Sequence, residues 1–154
     1  MGRFTYDELR QRAFERAAWV LRHFWEEQQD DEKREARVHT RIFDPLIHQG
    51  YINVGKSRKG GGHIEHLVPC VMLRDQAFQL FWKQRDAGRD IAEAEKAVAE
   101  MLGRFLRVAH ISSEEAHHLD HVLGLKERMP DGWSFENGSV MARLVVANIE
   151  LEFQ

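Results

Sequence analysis

"GGGHIEHLVPC", residues 60–70, sets His63, Glu65 and His66 within four positions, behind three glycines and just ahead of Pro69. Upstream, "YINVGKS" (51–57) alternates and is rich in strand formers. "RKGGG" (58–62) between them reads as a flexible turn, so the two segments, 51–57 and 63–69, are predicted to form a β-hairpin. Side chains alternate along a strand. Ile64, His66 and Val68 therefore share one face, and His63, Glu65 and Leu67 the other. On this pattern His66 points with the apolar residues toward the core or a cleft, and Glu65 to the opposite side.

The flanking sequence reads as mainly helical. Thr5 and Glu8 have capping-box spacing at the head of a long helix over 5–29. Its apolar stripe runs through Tyr6, Leu9, Ala13, Ala17, Val20 and Phe24, widened by Phe14, Ala18, Leu21 and Trp25. A second, charge-dense helix is predicted from about Asp31 to Ile42, with Pro45 breaking it nearby. Its Lys33, Arg34, Arg37 and Arg41 read as a solvated face of mixed Glu/Arg pairs, or as contacts to a phosphate backbone. After Cys70 the period turns helical to about Gly88, and again through Ile91, Ala94, Val98, Met101, Leu102 and Phe105. A short strand "FLRVAHI" (105–111) leads into a helix that Ser112 and Glu115 cap and Gly124 ends. "MPDGW" (129–133) is a turn, "SVMARLVVAN" a last helix and "IELEF" a closing strand.

Length and composition bound the answer. A chain of 154 residues, 43% hydrophobic and 31% charged, is expected to be one globular domain. Within it, 1–49 form a helical arm, and 50–154 hold the hairpin, a helical insertion and the rest of the core. With 22 basic and 25 acidic residues the net charge is −3, which gives no global pull toward nucleic acid, though a local basic patch suffices. No apolar run approaches the roughly 18 residues that cross a bilayer, and the N-terminus lacks the apolar core of a signal peptide. Cys70 is the only cysteine, so neither an internal disulfide nor a Cys-rich zinc site is available. A cytoplasmic setting without membrane contact is the expectation.

The nine histidines are concentrated. The helix after the second strand carries Glu114, His117, His118, Asp120 and His121 in under three turns. Residues three or four apart share a helix face, and imidazole nitrogens with carboxylate oxygens at that spacing suit a divalent metal. If 70–104 is an insertion, the skeleton around it is strand, strand, helix, with an acid–imidazole pair on the first strand and imidazoles on the helix.

At these residues the chain resembles a family. "EHLVP" (65–69) resembles the D/E-H-I/V-V-P signature that opens the HNH nucleases, the ββα-metal or His-Me finger group. "HISSEEAHHLDHVLGLKERMPDGW" (110–133) is similar to the C-terminal part of small phage-encoded proteins related to that group. The resemblance implies that His66 is the general base and Glu65 a metal ligand. It also implies that His117, His118 or His121 completes the coordination of a divalent metal (Mg²⁺, Mn²⁺, Ni²⁺ or Zn²⁺). The family's middle Asn has no counterpart, and His110 is the nearest polar residue on the second strand. The implied activity is metal-dependent hydrolysis of a phosphodiester in DNA. Lys56, Arg58 and Lys59 in the hairpin turn would then hold phosphates, or else simply keep a turn soluble.

The expected fold class is accordingly α+β, mainly helical, with a small antiparallel hairpin or sheet and a ββα-metal-like element carrying a helical insertion. Two rival functions stand beside the nuclease. One is a non-catalytic phage or mobile-element protein, a binder or inhibitor. It would dock on a protein or nucleoprotein partner, or pair as a homodimer, through the N-terminal helix. The other is a purely structural metal site. Trp19 discriminates the first rival, since an exposed Trp19 favours an interface and a buried one is core.

Overall fold

The computed structural model describes residues 2–152. The fold is α+β and mainly helical, with one four-stranded mixed sheet. The described residues fall into two compact units, one built from the chain up to 51 with 73–104, the other from 52–72 with 105 onward. The helical stretch between the two strands thus groups with the N-terminal helix. Phe153, the last residue of the expected closing strand, lies outside the described residues.

In the first unit, helix α1 (Tyr6–Glu27) starts at the expected capping box: Thr5 Oγ1 accepts from the Glu8 amide and Glu8 accepts from the Thr5 amide. Its buried stripe is Ala13, Phe14, Ala17, Ala18, Leu21 and Trp25. Tyr6 and Leu9, expected in that stripe, are exposed. The predicted helix over 31–42 does not form. Only a 3₁₀ turn at Thr40–Ile42 and the short α2 (Phe43–Leu46) appear in this region. Asp31 supplies a local reason, because its carboxylate accepts from the Lys33 amide (3.1 Å) and from Arg37 (3.1 Å), offering the backbone a turn in place of a helix. Arg34, at φ +54°, donates twice to Asp86 (2.7 and 3.1 Å) and lies over the Trp82 ring. Its hydrogen bonds hold the Asp86 carboxyl below the usual carboxylate range. Helices α3 (Cys70–Asp86) and α4 (Ile91–Phe105) match their expected spans. Trp25 stacks on Phe81 and meets Trp82 edge-on in this core.

The second unit holds the sheet: β1 (Asn53–Ser57), β2 (His63–His66), β3 (Val108–Ile111) and β4 (Leu151–Glu152) in the order β2-β3-β1-β4. This corrects the expected hairpin. β1 and β2 are not ladder neighbours. β3 lies between them, parallel to β1 and antiparallel to β2. The reason is burial: Val108, Ala109 and Ile111 are closed off completely, which suits a central strand paired on both sides. The glycine turn therefore spans two strand spacings, about 10 Å, and passes over the end of β3. A Cβ on Gly61 would lie 3.0 Å from the Lys56 side chain and 3.1 Å from His110 Cβ, so this close approach depends on glycine.

After β3 come α5 (Ser113–His117), a π turn (His118–Val122) and α6 (Ala142–Val146). Leu67, Ala109 and Ile111 from one face of the sheet pack with Ala116, Leu119, Leu125, Leu144 and Ile149. That face is covered by residues of α5 and α6, and on the other face Val108 is buried as well. At Gly55, φ is +153° and an added Cβ would lie 2.7 Å from the Glu152 carbonyl oxygen, at the irregularity in the β1–β3 register. Gly55→Ala should lower stability by roughly 1–3 kcal/mol, read as a drop in the urea midpoint. Gly62→Ala, whose Cβ would meet nothing within 4 Å, should change it by less than about 0.5 kcal/mol.

Candidate functional site

Ladder register places each candidate residue on β2 and β3. His63 faces Ile111, Ile64 faces His110, Glu65 faces Ala109 and His66 faces Val108. Glu65 therefore shares the helix-covered face with Ala109, Leu67 and Ile111, while His66 leaves the strand on the other face. Against expectation Glu65 is buried, at 9% exposure, and Ile64 exposed, at 38%, while His66 is half-buried opposite the buried Val108.

A carboxylate goes inside only with compensation. Arg143 on α6 provides it. Its guanidinium is 1% exposed and donates to Glu65 Oε1 at 2.8 Å. The same group donates to the His66 carbonyl at 2.7 Å and the Leu67 carbonyl at 3.5 Å. Glu65 Oε2 lies 2.9 Å from His63 Nε2. Arg143 was not among the candidate residues. Its one sequence signal is its place as the only charge in the apolar run "SVMARLVVAN".

On α5 and the π turn, His117 and His121 are exposed and their rings lie 4.7 Å apart. His118 turns elsewhere. With Lys59, Ser112, Glu114, Glu115, Ala147 and Asn148 it lines a cavity of about 320 Å³. Glu115 is committed to the cap, accepting from the Ser112 amide at 2.9 Å. Arg58 is paired with Glu150 at the surface, at 3.3 Å. The metal that the resemblance implies needs three or more converging ligands. Both Glu65 oxygens are engaged by Arg143 and His63, His118 is turned from His117 and His121, and no three His, Cys, Asp or Glu side chains converge among the described residues. As placed, these residues do not fit the group.

The other face is different. His110 on β3 is flanked by Ile64 on β2 and Lys56 on β1, with Glu152 of β4 next in the row. Lys56 is exposed, and His66 and His110 are half-buried. Two imidazoles and an ammonium thus occupy one face of three adjacent strands. Such a set can bind a phosphate and move protons.

No family model, no curated protein and no solved structure matches the chain. No described helix is long and apolar enough to cross a membrane.

Removing one partner of a buried ion pair leaves an uncompensated charge. Arg143→Met should therefore cost about 3–5 kcal/mol in urea unfolding, and adding Glu65→Gln should recover part of that loss. With Glu65→Gln alone closing the cycle, a double variant whose loss equals the sum of the two single losses would show that the two side chains are not coupled.

Proposed function

We propose that the protein cleaves phosphodiester bonds in nucleic acid, with His66 as general base. The observation that supports this reading is the order of elements in the second unit. β2 carries the Glu65–His66 pair, β3 lies antiparallel beside it, and α5 follows at once and packs on β2. This is a strand–strand–helix element interrupted by a helical insertion.

His66 would accept the proton of the attacking hydroxyl as that oxygen bonds to phosphorus and the bond from phosphorus to the leaving oxygen of the chain breaks, that oxygen taking up a proton. Lys56 would hold the non-bridging phosphate oxygens as a point charge. Glu65 acts one step removed: through Arg143, which also grips the His66 carbonyl, it fixes the strand that presents the base. No step is routed through a divalent cation, because the residues expected to hold one do not fit it as placed.

The test uses purified protein on plasmid DNA and on RNA, with Mg²⁺, Mn²⁺, Ni²⁺ or Zn²⁺ and with chelator. Cleavage is expected in at least one condition, and His66→Ala should slow it about 10²–10⁴-fold with unchanged thermal melting. Wild type that cuts neither polymer, or a His66→Ala variant of equal rate, defeats the proposal.

Trp19 favours a second reading, a non-catalytic protein that docks through α1. It is 53% exposed, with its ring against His23 at 4.0 Å. Here light scattering should show a dimer that Trp19→Glu dissociates. A monomer at every concentration removes self-association through this helix.

A further inference from the structure

We infer that the sheet face bearing Lys56, His110 and His66 takes RNA, and that these three side chains cut it by transphosphorylation through the 2′-hydroxyl, with no metal needed for the step. The inference rests on the phosphodiesterase reading and names its substrate class.

The argument begins with register. His66 faces Val108 and Ile64 faces His110 on an antiparallel ladder. His66 and His110 are therefore diagonal neighbours on one face, a relation that sets Cβ atoms roughly 7 Å apart. That spacing admits one phosphodiester between the rings. Lys56 lies directly beside His110 on the parallel ladder. The turn lies against the Lys56 stem and His110 Cβ at Gly61, which has no side chain to block that approach. Glu152 is the one acidic residue in this row, beyond Lys56 and away from the two imidazoles.

Three groups then have three jobs. His66 takes the proton of the ribose 2′-hydroxyl as its oxygen bonds to phosphorus. The bond from phosphorus to the 5′-oxygen breaks, and protonated His110 gives its proton to that leaving oxygen. Lys56 offsets the negative charge that grows on the non-bridging oxygens. One proton is taken up and one released, and the products are a 2′,3′-cyclic phosphate and a free 5′-hydroxyl. No oxidant, water or cation enters the balance. DNA lacks the nucleophile, so the same face cannot cut it in this way.

The experiment compares an RNA oligonucleotide, its 2′-O-methyl form and the matching DNA, each with chelator and with Mg²⁺ or Mn²⁺. The expected result is cleavage of RNA alone, undiminished by chelator, with cyclic-phosphate ends seen by mass spectrometry. His66→Ala and His110→Ala should each slow it about 10²–10⁴-fold, and His110→Gln should not rescue. Circular dichroism melts establish that the variants fold. Metal-dependent cutting of DNA with His110→Ala at full rate overturns this inference and leaves the phosphodiesterase proposal standing. Failure to cut either polymer removes both.

Discussion

The buried guanidinium of Arg143 decides how the second unit is put together. Burying a charge pair costs several kcal/mol unless geometry and further hydrogen bonds compensate. Here one arm of the guanidinium meets Glu65, and the other meets the His66 and Leu67 carbonyls. Its Nε has no partner, so satisfaction is incomplete. The gain is specificity: a strand that slips by one residue exchanges its faces, and only one register of β2 delivers a carboxylate to Arg143. The interaction also ties α6, late in the chain, to a strand some 78 residues earlier.

That separation explains what the sequence could and could not disclose. α1, α3, α4 and α5 follow from local signals, namely helical period and reciprocal caps at Thr5/Glu8 and Ser112/Glu115. β3 was legible as a short apolar run. The in–out sense of β2 was not, because a period of two gives two faces without saying which is covered. Val68 is buried as its side chain suggests, but Ile64 is exposed, and Arg143 draws Glu65 inside on the other face. The hairpin failed for a related reason. Alternation and a glycine turn imply two strands close in space, yet they do not exclude a third strand between them. The 31–42 segment failed because charge density resembles an exposed helix, whereas Asp31 and Arg34 spend their side chains on turns and on Asp86.

The candidate residues divided along the same line. A motif read as one cluster, with Glu65 and His66 side by side, is split by the pleat into two environments. Glu65, His63 and Arg143 form a network under the helices. His66, His110 and Lys56 lie on the far side. Sequence adjacency on a strand is spatial opposition, so a one-site reading of the motif was the step most exposed to correction.

The two faces remain coupled through one strand. Arg143 grips the carbonyl of His66 while holding the carboxylate of Glu65, so the backbone that presents the imidazole is fixed from behind. A group that transfers a proton gains from being held within a fraction of an ångström, and burial of the clamp is what makes it stiff. Glu65 thereby helps to set the position of the strand that carries His66.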